Sequence, residues 1–116
     1  MSEIQMYHNP RCSKSRQTLA LLQQQGIEPE VVEYLKTPPS ASELASVIKK
    51  LGITPRQLLR SKEAEYEQAG LNDDSLSDDA IIAAMVQYPK LIERPIVIKG
   101  NAARIGRPPE DVLEIL

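Results

Sequence analysis

One cysteine and one histidine, four residues apart, are the candidates for nucleophilic or redox chemistry. Cys12 follows the turn-forming residues Asn9 and Pro10, and His8 lies just upstream. A helix is predicted to begin at this point, and the free N–H groups and dipole of a helix start favour a thiolate. Since the thiolate is the attacking form, the pattern favours a reactive sulfur over the buried structural thiol that a lone cysteine more often is. Three nearby basic residues strengthen this prediction: Arg11, Lys14 and Arg16.

The spacing Cys-x-x-Ser limits the redox chemistry that Cys12 can complete. Ser15 stands where a dithiol motif has its second cysteine, and the chain has no other thiol. An oxidised or adducted Cys12 must therefore be resolved by an external thiol or by another protein. Ser15 either donates a hydrogen bond to the thiolate or is simply a serine at a helix start. His8 either stabilises the thiolate or is a hydrogen-bonded residue that ends the first strand.

The composition excludes several other kinds of site. A single cysteine and a single histidine rule out an internal disulfide and any zinc site that needs several such ligands. A Ser-His-Asp triad is nearly excluded, because His8 would have to be its base. The 116 residues, 41% hydrophobic and 26% charged, fit one domain. The net charge of −2 argues against a basic nucleic-acid-binding surface.

No segment of the sequence is a candidate membrane span or signal peptide. The longest apolar stretches, such as Leu19–Leu22 and Ile96–Ile98, are far too short to cross a bilayer. The first five residues contain no basic region followed by an apolar run. We therefore expect a cytoplasmic protein with no membrane association.

The elements that position Cys12 are predicted to begin with a β-α-β unit. Glu3–Tyr7 is predicted to be the first strand, Ser13–Gln25 a helix that Gly26 ends, and Pro29–Tyr34 the second strand. The crossover through a helix predicts that the two strands pair in parallel.

A helical segment over about residues 40–88 is predicted to follow. Ser40 and Glu43 form a capping box before a helix that ends at Gly52. Three shorter helical stretches are predicted after it: Thr54 through Arg60, Lys62–Ala69, and one that Ser77 caps and that ends before Pro89.

The last part of the chain changes from helical to strand periodicity. Ile96–Ile98 is a continuous apolar run typical of a central strand, and Lys99-Gly100-Asn101 indicates a hairpin to a strand over Ala103–Ile105. A final helix is predicted after Gly106, with three apolar residues facing inward: Val112, Leu113 and Leu116.

The resulting order is β-α-β, then helices, then β-β-α. It predicts an α/β chain with a thioredoxin-like fold and a helical insertion in the middle, an inference that rests partly on analogy. In that fold a proline before the third strand is usually cis and faces the active cysteine. We therefore predict a cis peptide bond before Pro95.

Several dispersed motifs resemble the ArsC family of glutaredoxin-coupled arsenate reductases. The resemblance covers nearly the whole chain, and motifs in register are far more specific than Cys-x-x-Ser alone. The matching residues are Tyr7-His8-Asn9-Pro10, Cys12, Ser15-Arg16, Tyr34-Leu35, Pro39-Ser40, Leu58-Leu59-Arg60, Arg94-Pro95-Ile96-Val97 and Arg107-Pro108.

The resemblance implies a single ArsC-type domain over residues 1–116 in which Cys12 is the catalytic nucleophile. It implies that Arg60, Arg94 and Arg107 bind the oxyanion, a role that suits planar guanidinium groups. It also implies that His8 helps to keep the cysteine ionised. Cys12 would attack arsenate, glutathione would reduce the adduct, and glutaredoxin would remove the glutathione. Glutathione is then a co-substrate, no cofactor is tightly bound, and a monomer is expected.

Two other functions stay open at this point. One is a thiol-redox protein that acts on glutathione mixed disulfides and has no arsenate role. The other is an Spx-type regulator, which shares the fold and binds RNA polymerase without catalysis. Spx-type proteins typically carry Cys-x-x-Cys, whereas this chain has Ser15. The arsenate reductases built on low-molecular-weight phosphatases are rejected, because their Cys-x₅-Arg loop would need an arginine where Thr18 stands.

Overall fold

The computed structural model of the protein describes residues 4–116, and within them four strands and four α-helices are found. The strands are β1 (Ile4–Tyr7), β2 (Glu30–Val32), β3 (Ile96–Lys99) and β4 (Ala102–Ile105). The α-helices are α1 (Ser13–Gln24), α2 (Ala41–Leu51), α3 (Ala64–Gln68) and α4 (Asp78–Gln87). Three 3₁₀-helices complete the described elements: Pro55–Leu58, Pro89–Leu91 and Pro109–Ile115. Along residues 4–116, no helix is long and apolar enough to cross a membrane.

The chain divides into two compact units. The first comprises the residues up to Thr37 together with Arg94–Leu116, and the second is Pro38–Glu93. The four strands, α1 and the last 3₁₀-helix belong to the first unit, and α2, α3 and α4 belong to the second. The helices predicted over residues 40–88 therefore all lie in the second unit. A single domain over residues 1–116 stays a prediction.

The sheet of the first unit has the strand order β2-β1-β3-β4. β1 pairs with β2 in parallel, with Met6 opposite Val31, and with β3 antiparallel, with Met6 opposite Val97. The hairpin of β3 and β4 is antiparallel and turns at Gly100, whose φ of 58° suits a residue without a side chain. These findings confirm the predicted α/β class, the β-α-β and β-β-α order and the parallel first pair.

The core of the first unit lies between the sheet and α1. Ile4 and Met6 are two residues apart in β1 and so face the same side of the sheet, where they meet Leu22 of α1 and Val112. Burial of an apolar side chain of this size stabilises the folded state by roughly 1.5–3 kcal/mol. Glu3, the first residue of the predicted strand, lies outside the described residues.

The second unit is held by the apolar face of α2 packed on α4. Ser40 caps α2 as predicted and accepts a hydrogen bond from the Glu43 N–H, but the Ser40 hydroxyl itself donates to the Glu43 carboxylate, so the box is not reciprocal. The reciprocal capping box occurs instead at Thr54, where Gln57 supplies both the amide donor and the side-chain acceptor. Here the pattern Thr-Pro-x-Gln marks the start of the 3₁₀-helix.

Several predicted boundaries are wrong by a few residues. The stretch that was predicted to be helical through Arg60 ends at Leu58, because the Arg60 N–H donates to the Leu91 carbonyl (2.8 Å) instead of to its own helix. The predicted helix Lys62–Ala69 is reduced to Ala64–Gln68, and the predicted strand Pro29–Tyr34 to Glu30–Val32.

The last helix differs from the prediction in type and in the side that it buries. It is a 3₁₀-helix with three residues per turn, so Val112 and Ile115 share the face that packs on the core. The prediction that Leu113 faces inward is wrong, because Leu113 is 40% exposed. Leu116 packs against the core as predicted.

Replacement of Leu22 by alanine tests the core of the first unit. The side chain is fully buried, so Leu22→Ala should lower the free energy of unfolding by about 2–5 kcal/mol. The matched control Leu113→Ala removes the same atoms from an exposed position and should change it by less than about 0.5 kcal/mol. Urea denaturation measures both. Equal losses in the two variants would contradict the packing described here.

Candidate active site

Cys12 lies at the junction of β1 and α1, at the position that caps the start of the helix. Its N–H donates to the Asn9 carbonyl (3.0 Å), which closes a tight turn after β1. Its carbonyl accepts the N–H of Arg16 (3.0 Å), the first hydrogen bond of α1. The helix start predicted from the sequence is confirmed, and the thiol therefore lies beside the unpaired N–H groups of the first turn.

The thiol is largely covered, with Cys12 only 9% exposed, but polar groups cover it. The Arg107 Nη2 atom lies 3.7 Å from Sγ and donates to it. The Arg94 guanidinium also hydrogen-bonds the sulfur, and the N–H groups of Lys14 and Ser15 face it from α1. Cys12 is thus buried, as a structural cysteine would be, while its neighbours are those of an anion site.

Charge and hydrogen bonding set the ionisation of Cys12. Burial, the largest single effect, raises the pKa of the thiol, because it penalises the charged form. The Ser15 N–H, the Arg94 guanidinium and the Lys14 N–H act in the opposite direction and together outweigh burial. The pKa of Cys12 is therefore lowered from its ordinary value, which increases the thiolate fraction at neutral pH.

The β3–β4 hairpin positions both arginines. Arg94 immediately precedes β3, and Arg107 follows β4 after Gly106, so the antiparallel pairing brings the two together. The Arg107 Nε donates to the Arg94 carbonyl (2.7 Å), which leaves Nη2 for the sulfur. The predicted cis bond before Pro95 is confirmed, and a second cis bond precedes Pro108.

Gly106 and Thr18 also belong to this site, although the sequence predicts a role in it for neither residue. The Gly106 N–H donates to the Pro95 carbonyl (2.9 Å). A Cβ atom on Gly106 would lie 2.5 Å from Thr18 Oγ1 and 2.8 Å from Pro95 Cγ, closer than such atoms approach. Only glycine therefore allows the segment before Arg107 to pass this close to α1. The one sequence feature that could have indicated this close approach is the position of Gly106 directly before Arg107.

His8 and Ser15 form a buried pair behind the loop that carries Cys12. The His8 Nδ1 atom lies 2.6 Å from the Ser15 Oγ, and the same oxygen accepts the N–H of Asn9 (3.0 Å). The Ser15 hydroxyl is thus bonded to His8 and Asn9, and it is the Ser15 backbone N–H that faces the sulfur. The backbone of His8 extends the ladder beyond β1 by donating to the Val32 carbonyl (2.9 Å).

The protonation of His8 determines how it can influence Cys12. Burial lowers the pKa of His8; Glu33 raises it and Arg16 lowers it further, and the net result is below the ordinary value. The lowered pKa favours the neutral imidazole, which bonds Ser15 without adding a positive charge near Cys12. A role of His8 and Ser15 in stabilising the thiolate stays a prediction.

Arg60, the third predicted arginine, belongs to the second unit. Its Nη1 atom pairs with the Glu93 carboxylate (3.1 Å) and its Nε atom with the Glu63 carboxylate (3.3 Å). Its predicted binding of an oxyanion stays a prediction.

Within residues 4–116, no group of three or more His, Cys, Asp or Glu side chains is arranged to hold a metal ion. A thiol with a lowered pKa beside the guanidinium groups of Arg94 and Arg107 is an arrangement suited to nucleophilic attack on an anionic electrophile.

The arginines beside Cys12 can be tested through the pH dependence of alkylation. The rate should rise with pH as the thiolate forms, with a midpoint below the usual value of about 8.5. Arg94→Ala should move the midpoint upward, because it removes a cation and a hydrogen bond from the anion, and Arg107→Ala should do so through loss of the contact between its Nη2 atom and Sγ. Arg104→Ala is the control, since Arg104 pairs with Glu114. A wild-type midpoint at or above 8.5 would refute the activated thiolate.

Substitution of Gly106 tests how the hairpin approaches α1. Gly106→Ala should lower the free energy of unfolding by about 1–3 kcal/mol through overpacking and should raise the pKa of Cys12 by displacing Arg107. The double variant with Thr18→Ala should recover part of both effects, since Pro95 still blocks the added methyl group. Thr18→Ala alone is the control. Chemical denaturation and alkylation against pH measure the two effects, and an unchanged pKa in Gly106→Ala would contradict this account.

Comparison with known proteins relates this geometry to a family. The model of the ArsC family matches residues 7–115. The uncharacterized protein YfgD of Escherichia coli K12 is 56% identical over 98% of this chain and 97% of its own length. An arsenate reductase of Neisseria meningitidis is 46% identical over all of both chains. The solved structure of an arsenate reductase from Vibrio cholerae matches with a TM-score of 0.95 and 56% identity over 97% of each chain. The protein therefore belongs to the ArsC family and has its thioredoxin-like fold.

Proposed function

We propose that the protein reduces arsenate to arsenite, with Cys12 as the nucleophile and with glutathione and glutaredoxin as the source of electrons. The observation that carries the proposal is the contact of one low-pKa thiol with two guanidinium groups, those of Arg94 and Arg107. A cationic pocket around a nucleophile suits a substrate that is itself an anion. Membership of the ArsC family and relatives named arsenate reductase support arsenate as that anion.

The first step joins sulfur to arsenic. The Cys12 thiolate attacks the As(V) centre, an As–O bond breaks, and the oxygen leaves as water once it has taken up protons. Arg94 and Arg107 stabilise the oxyanion charge during this exchange, which is how preorganised donors lower a barrier. In the product, Cys12 is linked to arsenic that is still in the As(V) state.

The second step moves two electrons to arsenic. The glutathione sulfur attacks the Cys12 sulfur, the S–As bond breaks, and its electron pair stays on arsenic, which leaves as arsenite. Cys12 and glutathione are then joined as a mixed disulfide, and a glutaredoxin thiolate removes the glutathionyl group. The single cysteine supports this route, because the chain holds no thiol of its own to resolve the disulfide. We expect the protein to work as a monomer in the cytoplasm, where thiols are kept reduced.

His8 and Ser15 act as positioning residues in this proposal. Ser15 holds the Asn9 N–H and the His8 ring in one buried network. Since Asn9 also accepts the Cys12 N–H (3.0 Å), the network fixes the turn from which the sulfur projects. Both residues thereby act on the thiolate through the loop, and neither needs to touch the substrate.

Arsenite release in the presence of glutathione and glutaredoxin is the decisive measurement. Cys12→Ser should abolish the release. Arg107→Ala should lower kcat/KM for arsenate by about 10²-fold, the usual loss when one oxyanion donor is removed. Arg104→Ala is the matched arginine control, and Arg60→Ala tests the third predicted arginine. Wild-type protein without turnover under these conditions would refute the proposal.

The second candidate function is reduction of glutathione mixed disulfides without arsenate. The observation that favours it is again the lowered pKa of Cys12, because a thiolate also attacks disulfide sulfur. The arginines separate the two candidates. A disulfide reductase should turn over a small glutathionyl disulfide at a rate that neither arsenate nor Arg94→Ala changes, whereas an arsenate reductase should be inhibited by arsenate in that assay.

A further inference from the structure

A cavity of about 380 Å³ lies beside the turn that carries Cys12. One wall is formed by residues 8–11 after β1, and the other by Glu33, Leu35 and Lys36 after β2. Its volume is at the lower end of the range of small-molecule sites, roughly 300–1,000 Å³. Since the Cys12 N–H donates to Asn9 in that wall (3.0 Å), the cavity and the sulfur share one turn of chain.

The charges around the cavity have both signs. Arg11 and Lys36 supply two cations and Glu33 one anion. Lys36 and Glu33 lie 3.6 Å apart, but their side chains are 78% and 42% exposed, so the pair is weak and either partner can turn to a ligand. The apolar surfaces of Pro10 and Leu35 complete the lining.

A buried polar group also borders the cavity. His8 is only 7% exposed, yet it forms part of the wall. Its Nδ1 atom is occupied by Ser15, and among residues 4–116 no partner is found for Nε2. His8 Nε2 is not one of the fully buried, unpartnered side-chain atoms of residues 4–116, so this nitrogen is accessible to water or to a ligand in the cavity. The cavity therefore offers one directional hydrogen bond in addition to its charges.

The chemistry of Cys12 requires a second molecule close to this place. With one cysteine in the chain, any adduct on Cys12 must be resolved by a thiol that arrives from solution. That thiol must reach the sulfur in each turnover, and one wall of the cavity is formed by the four residues that immediately precede Cys12. The charged groups of the cavity are separate from Arg94 and Arg107, which hydrogen-bond the Cys12 sulfur.

We infer that this cavity binds the incoming thiol as a zwitterionic peptide with two carboxylates and one ammonium group, the class to which glutathione belongs. Arg11 and Lys36 would bind the two carboxylates, Glu33 the ammonium group and His8 Nε2 a peptide group, while Pro10 and Leu35 cover the methylene groups. The identity of the thiol rests on the proposed function, whereas the site rests on the charges and the buried ring of the cavity.

The charge pattern distinguishes this ligand from simpler ones. A free oxyanion would gain from Arg11 and Lys36 but would be repelled by Glu33. An apolar ligand would leave all three charges unpaired. A peptide with two carboxylates and one ammonium group matches the two cations and one anion of the cavity, so each charged group of the peptide has a partner of opposite charge.

Titration of the full-length protein with S-methylglutathione tests the inference, because this analogue keeps the charges but cannot react with Cys12. Calorimetry at low salt should show saturable binding of one molecule. Arg11→Ala and Lys36→Ala should each weaken it about fivefold, as expected for partly exposed charge pairs. Lys49→Ala on α2 is the matched control and should leave the Kd unchanged. N-acetyl-S-methylglutathione, which lacks the ammonium group, should bind more weakly, and Glu33→Gln should not weaken it further.

Absence of saturable binding to the wild type, or equal Kd values for the wild type, Arg11→Ala and Lys36→Ala, would overturn the inference. The result is separable from that of the arsenate assay. Binding of the analogue without arsenite release would refute the proposed function alone. Arsenite release with an unchanged KM for glutathione in Arg11→Ala and Lys36→Ala would refute the cavity alone.

Discussion

The need to stabilise a thiolate on one covered sulfur is the constraint that links the two ends of the first unit. Cys12 is only 9% exposed and burial penalises a thiolate, so the pKa of this thiol is lowered only because other groups compensate the charge. Two N–H groups of α1 supply one part of this compensation, and guanidinium groups from the opposite end of the chain supply the other. The β1–α1 junction and the β3–β4 hairpin are therefore linked electrostatically as well as by the sheet.

The β3–β4 hairpin brings its arginines to Cys12 by packing very closely against α1. Gly106 passes between Thr18 and Pro95 with no room for a methyl group, and the hydrogen bond from its N–H to Pro95 holds it there. Arg107 then follows directly and anchors its Nε on the Arg94 carbonyl. Close packing thus determines where the cation lies. Precision in the site comes from main-chain contacts rather than from the long arginine side chains themselves.

The sequence predicts local features well, because their causes are local. The thiol at a helix start follows from Asn9-Pro10 and the helical stretch after Cys12, and the parallel pairing of the first two strands follows from the crossover rules. Contacts between distant residues, such as Gly106 with Thr18, leave no such pattern. Leu113 was misplaced because 3₁₀ and α periodicity differ by little over one turn, and packing decides between them. The arginines were found through the family resemblance, since spacing alone does not distinguish them from surface residues.

The environment of Ser15 determines what a second cysteine at this position would do to the site. The serine is fully buried, and its oxygen serves both the Asn9 N–H and the His8 ring. A cysteine here would supply a second thiol but would replace this oxygen by sulfur, a weak acceptor that leaves the Asn9 N–H poorly satisfied. Conversion of the one-thiol site into a dithiol site therefore needs compensating changes in the loop. A Ser15→Cys substitution alone would therefore introduce a second thiol and weaken the hydrogen bonds that hold the loop carrying Cys12.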